Sequence, residues 1–183
     1  LAANQNHADA QFNLGCIYHD GIWVTRDITS SIHYFMLAAN QNCVEALNNL
    51  GIIYGSNEYV PQDVQKMLHY LQLAANQNNA NAQLSLAVLY ENGELVPQNI
   101  NKMLYYFTLA ANQNYVYGQY MLGYLYETGR YVPCDINKAI DYYLKAAYQN
   151  DKNAQYHLGM IYIKENNVQH NIKKGIYFLK LAS

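Results

Sequence analysis

The feature that most constrains this chain is a six-residue string that returns at a constant interval of 36 residues. Leu-Ala-Ala-Asn-Gln-Asn begins at Leu1, Leu37, Leu73 and Leu109, and a diverged version begins at Lys145. Equal spacing without insertions is typical of stacked repeats, in which each unit buries its apolar side only against its neighbours. We therefore expect a row of equal repeats instead of a single layered domain.

Each repeat contains two segments with the periodicity of an amphipathic α-helix. In the first repeat, Ala10, Leu14, Ile17 and Tyr18 lie on one helix face, and the later repeats keep this spacing. The second segment begins near Ile28 and again follows helical spacing, without the alternation of a strand. The expected fold class is all-α, built from helix-turn-helix repeats.

Residues that favour helix ends stand at the predicted boundaries. The predicted N-caps of the second helices, whose side chains accept hydrogen bonds from free backbone N–H groups, are Asp27, Asp63, Asn99, Asp135 and Asn171. Residues that tolerate a left-handed backbone are predicted where helices end. They are Gly21, Asn57, Gly93 and Gly129 after the first helices, and Asn6, Asn42, Asn78, Asn114 and Asn150 after the second helices.

A small residue recurs inside the first helix, as Gly15, Gly51, Gly123 and Gly159, with Ala87 in the third repeat. Glycine in a helix interior costs about 1 kcal/mol relative to alanine. Its recurrence predicts that another backbone passes too close for a larger side chain. The paired alanines of the second helices are the expected neighbours.

The motif of the fourth repeat is the clearest. It runs through Gly118-Gln119, Leu122-Gly123, Tyr126, Gly129, Val132-Pro133, Asp135, Lys138-Ala139 and Ala146-Ala147. In these residues and in its period, the chain resembles the Sel1-like repeat family, which is related to the tetratricopeptide repeats. Tetratricopeptide repeats have a period of about 34 residues and lack the Gly-x-x-Val-Pro-x-Asp turn. The resemblance covers the whole chain.

The resemblance implies a right-handed α-α superhelix, or solenoid, of five repeats whose first helices line a concave surface. It also implies a protein-protein interaction scaffold or adaptor, with roles that include signalling, that binds a partner protein or peptide on this surface. No enzyme activity is expected in this segment. The alternative is the regulatory repeat array of a larger enzyme, such as a protein kinase, whose catalytic domain lies outside these residues.

We expect one solenoid domain over residues 1–183. Residues 1–6 would end a preceding repeat, and the repeats would span about 7–42, 43–78, 79–114, 115–150 and 151–183. Both ends fall within a second helix without polar capping elements, which predicts a fragment of a longer array and allows self-association through uncapped ends. Glu165 and Gln169 replace the turn glycine and proline of the fifth repeat, so its loop is expected to differ.

Comparison of the repeats separates recurring positions, which we expect to pack, from variable ones. The variable positions of the first helix fall within an arc of about 100° opposite the core face. In the fourth repeat this face is aromatic, and Tyr is among the residues that dominate interaction hot spots. The alternative is that Tyr120 and its equivalents only pack between repeats. The candidate partner-binding residues are Phe12, Asn13, Cys16, Asn49, Ile52, Leu84, Val88, Tyr117, Tyr120, Met121, Tyr124, Tyr156, His157 and Met160.

Composition and motifs argue against several other classes. A net charge of −2, with Arg26 and Arg130 as the only arginines, argues against nucleic-acid binding. No apolar run is long enough for direct membrane insertion. The six histidines and three cysteines are dispersed, so no metal site, cofactor or catalytic residue is predicted. Free thiols favour a reducing, cytoplasmic compartment.

Overall fold

The structure, a computed structural model, describes residues 7–164 and 171–183. Every regular element within these residues is an α-helix, which confirms the all-α prediction. The helices are α1 (Ala8–Asp20), α2 (Ile28–Ala39), α3 (Val44–Gly55), α4 (Val64–Asn76), α5 (Ala80–Asn92), α6 (Ile100–Asn112), α7 (Val116–Thr128), α8 (Ile136–Ala147), α9 (Lys152–Ile163) and α10 (Ile172–Ala182).

The chain divides into two compact units, Leu1–Gln98 and Asn99–Ser183. In the first unit, α1 packs against α2 and α3 against α4, while α2 contacts α3 and α4 contacts α5. In the second unit, α7 packs against α8 and α9 against α10, while α6 contacts α7 and α8 contacts α9. First helices of successive repeats also touch, α3 with α5 and α7 with α9. Each unit is therefore a series of helix pairs.

The second helices begin where the sequence predicts, because each is capped by a polar side chain. Asp63 accepts a hydrogen bond from the Lys66 N–H at 2.9 Å, and Asp135 accepts one from the Lys138 N–H at 3.0 Å. All five predicted N-caps are confirmed, the others being Asp27, Asn99 and Asn171. The N–H of the cap also donates to the first helix, as from Asp135 to the Tyr126 carbonyl at 2.9 Å. The connecting turn is thus fixed at both ends.

The first helices end as predicted at three glycines and differently at the end of α3. Gly21, Gly93 and Gly129 have left-handed φ angles of 67°, 73° and 69°. The prediction for Asn57 is wrong, because α3 ends at Gly55 and continues into an extended Ser56. The Ser56 hydroxyl accepts a hydrogen bond from the Glu58 N–H at 3.1 Å, and this local turn redirects the chain before Asn57.

The second helices end at asparagines in the left-handed region, as predicted. Asn42, Asn78, Asn114 and Asn150 have φ angles of 63°, 62°, 60° and 65°. The N–H of the following residue then bonds back to an alanine carbonyl of the helix, which is the Schellman arrangement. Asn6, predicted for the same role, lies outside the described residues, as do Glu165 and Gln169 of the fifth loop.

Recurring apolar positions of the first helices form the core. Leu50, Leu86 and Leu158 are fully buried. Their equivalent in the first repeat, Leu14, is only half-buried, and so is Ala10. The buried face predicted for α1 is therefore incomplete, because α1 packs mainly against α2, whereas α3 packs against α2, α4 and α5.

The recurring glycines of the first helices face bulky side chains, so the expectation of paired alanines as neighbours is wrong. A Cβ atom on Gly15 would lie 2.5 Å from Cδ1 of Phe35, and one on Gly123 would lie 2.6 Å from Cδ1 of Tyr143. Likewise, a Cβ atom on Gly51 would lie 2.7 Å from Cδ2 of Leu71, and one on Gly159 would lie 2.6 Å from Cγ of Leu179. The paired alanines pack instead against the start of the next first helix, where a Cβ on Gly118 would lie 3.1 Å from that of Ala110.

A buried glutamine, which the sequence reasoning missed, joins successive repeats. Gln119 and Gln155 each donate from Nε2 to the last alanine carbonyl of the preceding second helix, at 3.3 and 3.2 Å. Gln119 also accepts from Gln149 at 2.9 Å. Because burying an amide N–H group without an acceptor is costly, this recurring side chain fixes how one helix pair docks on the next.

Candidate partner-binding faces

None of the candidate residues is fully buried. They divide by unit, with α1, α3 and α5 carrying those of the first unit and α7 and α9 those of the second. The exposed candidates are Asn13, Ile52, Tyr117 and Tyr156. The half-buried candidates are Phe12, Cys16, Asn49, Leu84, Val88, Tyr120, Met121, Tyr124, His157 and Met160. The variable face is therefore open to contact in both units, unlike the recurring core positions.

In the first unit, three candidates line one pocket of about 260 Å³ between α1 and α3. Cys16 lies on α1, and Asn49 and Ile52 lie on α3. The wall is completed by residues that the sequence did not select, namely His19, Asp20, Phe35 and Ile53. Burial raises the pKa of the Cys16 thiol, and the charge of Asp20 adds to this effect. The thiol is therefore protonated and acts as an apolar lining group.

The remaining candidates of the first unit stand apart from this pocket. The Phe12 ring packs against the buried Phe35 ring, with centroids 5.7 Å apart, so Phe12 belongs partly to the core. Leu84 and Val88 lie on α5 and do not line the pocket. Asn13 is exposed on α1.

In the second unit, the aromatic candidates form one cluster, which we call the tyrosine strip (Tyr117, Tyr120, Tyr124, Tyr156 and His157). The His157 ring lies at its centre, with its centroid 5.9 Å from that of Tyr120, 6.1 Å from Tyr124 and 5.7 Å from Tyr156. The ring centroids of Tyr117 and Tyr120 are 6.4 Å apart. Met121 and Met160 are half-buried on the same helices. Residues of α7 and α9 are thus brought into direct contact, as the shared-face prediction requires.

The strip contains both packing and exposed rings. Tyr120 and Tyr124 pack against the core of this unit. Tyr117 and Tyr156 keep 45% and 51% of their surface exposed. Burial, together with the charge of Asp151, raises the pKa of Tyr120, which therefore keeps its hydroxyl proton.

Two residues that the sequence reasoning missed, Glu127 and Tyr143, hold the His157 ring of the strip in place. Glu127 Oε2 accepts a hydrogen bond from the Tyr143 hydroxyl at 2.7 Å and lies 2.8 Å from His157 Nδ1. The Tyr143 and His157 rings are stacked, with centroids 5.1 Å apart and planes at 16°. A signal was present, because the other repeats place Phe35, Leu71, Phe107 or Leu179 at the position of Tyr143. A hydroxyl at a position that is otherwise apolar needs a hydrogen-bond partner, so Tyr143 predicts a polar group nearby.

These contacts define the protonation of the cluster. Burial favours a raised pKa for the Glu127 carboxyl, but hydrogen bonds from His157 and Tyr143 outweigh it, so the pKa is lowered and the group is ionised. Burial and the neighbouring Glu127 raise the pKa of Tyr143, which stays protonated and donates. An ionised carboxylate only accepts hydrogen bonds. His157 Nδ1 must therefore carry a hydrogen, and the ring orientation is fixed.

No group of three or more His, Cys, Asp and Glu side chains within residues 7–164 and 171–183 is arranged to hold a metal ion. Among the helices of these same residues, none has the length and hydropathy needed to cross a membrane. The two candidate faces are a lined pocket in the first unit and an aromatic strip in the second.

Comparison with known proteins places these features in a family. The Sel1 repeat family model matches residues 8–43, 44–79, 80–115, 116–151 and 152–183. No curated protein matches the chain. Among solved structures, a Sel1 repeat protein from Oxalobacter formigenes is 31% identical, with a TM-score of 0.87, and the match covers 99% of this chain and 74% of that one.

Two further structures are similar. The protein c5321, a protective antigen of uropathogenic Escherichia coli strains with an SLR fold, is 26% identical with a TM-score of 0.92. That match covers 99% of this chain but only 39% of c5321, so the chain spans well under half of that protein. The cysteine-rich protein B of Helicobacter pylori is 27% identical with a TM-score of 0.56, and the match covers 73% of this chain and 96% of that one. With its repeats matched from residue 8 to residue 183, the chain is an all-α solenoid that belongs to the Sel1 repeat family.

Proposed function

We propose that the variable faces of the first helices bind an extended segment of a partner protein, so that the chain acts as an interaction scaffold. Sel1 repeat proteins are generally protein-interaction scaffolds, and the family is typically non-catalytic. The observation that carries the proposal is the tyrosine strip. At its two ends, large rings remain half exposed at variable positions, while the recurring positions beside them are fully buried.

The exposed area is sufficient for binding hot spots. A tyrosine presents about 200 Å², so each half-exposed ring at Tyr117 and Tyr156 offers roughly 100 Å². At about 25 cal/mol per Å², burial against a partner stabilises the complex by about 2 kcal/mol for each ring. This magnitude is that of a hot-spot residue.

Preorganisation of the strip supports the same conclusion. The His157 ring is held by the Glu127 carboxylate and by stacking on Tyr143, and the tyrosines pack around it. A surface whose side chains are already ordered loses less conformational entropy when a partner binds. The strip is therefore suited to bind a flexible segment, because only the segment loses much conformational entropy when the complex forms.

The test is a peptide selection on the immobilised chain, followed by affinity measurements with variants. We expect selected peptides to lose roughly 30-fold in affinity for each of Tyr117→Ala and Tyr156→Ala, which corresponds to about 2 kcal/mol. Tyr105→Ala, which truncates an exposed tyrosine on α6 outside the strip, serves as the matched control and should leave affinity unchanged. Far-UV circular dichroism checks that all three variants remain helical. Unchanged affinity in both strip variants, with helicity intact, would disprove this use of the strip.

A further inference from the structure

The pocket between α1 and α3 combines an apolar floor with a polar rim. Its apolar lining consists of Cys16, Phe35, Ile52 and Ile53, and its polar lining consists of His19, Asp20 and Asn49. A side chain that fills such a pocket needs an apolar stem and a polar head. The long side chains of Lys and Arg have this character, because they bury their methylene groups and keep the charged end at the surface.

The charge at the rim favours a cation. Asp20 is the last residue of α1, where the helix dipole adds a partial negative charge. Asp20 Oδ1 lies 3.1 Å from His19 Nδ1, and within the described residues Oδ2 has no hydrogen-bond partner. Arg26 is nearby, but it donates to the Asp20 backbone carbonyl and to the Tyr59 hydroxyl, both at 3.5 Å, and not to the carboxylate.

Asn49 supplies a second polar contact. Its side chain is half-buried at the pocket wall, and within residues 7–164 and 171–183 its carboxamide makes no hydrogen bond. The carboxamide oxygen is an acceptor that suits an ammonium or guanidinium donor. An acidic side chain in the same place would face Asp20, and an aliphatic one would leave both polar groups without a partner.

We propose that this pocket takes a Lys or Arg side chain of the bound partner segment, with the stem on Cys16 and Ile52 and the head on Asp20 and Asn49. The proposal rests on the proposed function, because it assumes that a segment of a partner lies on this face. It identifies the partner segment chemically, as one that carries a basic residue at the α1–α3 pocket.

The chain carries its own reporter for this site. Cys16 lines the pocket, Cys43 packs against the same core cluster without lining the pocket, and Cys134 is exposed in the second unit. An occupied pocket should slow alkylation of Cys16 and leave Cys134, the reference thiol, unaffected. The probes are four mixtures of synthetic decapeptides, with a central residue fixed as Lys, Arg, Leu or Glu and the remaining positions varied. The rate of reaction of each thiol with N-ethylmaleimide is measured by mass spectrometry.

We expect the Lys and Arg mixtures to slow the alkylation of Cys16 about threefold when free binding peptide is present at twice its dissociation constant. Asp20→Asn should remove this protection. Asp9→Asn, which neutralises an exposed carboxylate at the opposite end of α1, is the matched control and should retain it. Equal or better protection by the Leu or Glu mixture, or full protection in Asp20→Asn, overturns the proposal.

The remaining outcomes separate this inference from the proposed function. Protection of Cys16 that does not depend on the central residue would support segment binding but refute a site for basic side chains. Peptides that bind the chain without protecting Cys16 also refute only this site. Absence of any peptide binding, in this assay and in the selection on the immobilised chain, refutes both.

Discussion

Gly123→Ala provides a demanding test of how the second unit is packed. Alanine is favoured over glycine in a helix interior by about 1 kcal/mol, so local propensity alone predicts stabilisation. The added Cβ would lie 2.6 Å from Cδ1 and 2.8 Å from Cε1 of Tyr143. Carbon atoms normally approach to about 3.5–4.0 Å, so the ring must retreat by about 1 Å.

Tyr143 cannot retreat without loss, because its hydroxyl donates to the ionised Glu127 and its ring is stacked on His157. Overpacking costs about 1–3 kcal/mol, and a hydrogen bond to a charged group contributes about 1.5–3 kcal/mol. After subtraction of the helical gain, we expect Gly123→Ala to destabilise the second unit by about 1.5–5 kcal/mol. In the first unit, Gly51→Ala should cost less, because Leu71 has no hydrogen bond to lose.

Hydrogen exchange on the amides of α7 and α8 is the appropriate assay, because repeat arrays do not always unfold in one step. A double-mutant cycle with Tyr143→Phe isolates the cause. In that background the ring is no longer held by Glu127, so the cost of Gly123→Ala should fall by about 1.5–3 kcal/mol. A stabilising Gly123→Ala, or the same cost in both backgrounds, would refute this account of the packing.

Substitutions at three further positions test the helix ends and the buried carboxylate, and each is measured by urea unfolding followed by circular dichroism. Asp63→Ala should lower the urea midpoint of unfolding and Asp63→Asn should lower it less, because an amide caps the same helix position at Asn99. Asn114→Ala should cost about 1 kcal/mol more than Asn114→Gly, since φ at this position is 60° and both variants lose the 3.4 Å hydrogen bond from Gln119 Nε2 to Asn114 Oδ1. The folded-state pKa of Glu127 is lowered, so its stabilising effect is present above the ordinary Glu range of about 4.3 and lost as pH falls through the folded pKa. The stability difference between wild type and Glu127→Gln should therefore shrink on acidification, and a constant difference would contradict the assignment.

The helix boundaries were predictable because they depend on residues close in sequence. An N-cap side chain accepts a hydrogen bond from the N–H three residues later, so Asp135 indicates the start of α8 without any tertiary information. The left-handed asparagines are equally local. The prediction for Asn57 is wrong because Ser56, one residue earlier, is extended and its hydroxyl accepts a hydrogen bond from the Glu58 N–H.

The contacts between helices were less predictable, because they depend on docking geometry. The sequence identifies Gly123 as a site of close approach but does not show that Tyr143, twenty residues later, fills the space. The Glu127 contacts involve α7, α8 and α9, with partners 16 and 30 residues away. No pattern within one helix reveals such a network. Likewise, variability selects Cys16, Asn49 and Ile52 individually, and only the folded unit shows that they share a pocket.

The division between recurring and variable positions also explains why one repeat fold can present two different surfaces. Recurring residues, such as the buried Gln119 and the capping Asp135, fix the helix pairs, so the positions between them can change without altering the framework. In the first unit those positions form an acid-rimmed pocket, and in the second they form a tyrosine cluster on a buried carboxylate. Asp20 and Glu127 each stand beside a histidine near the end of a first helix, but the Asp20 side chain is 54% exposed and that of Glu127 only 14%. A partner segment bound as proposed would therefore meet an accessible charge in the first unit and an aromatic surface in the second, so each unit would select a different side-chain chemistry.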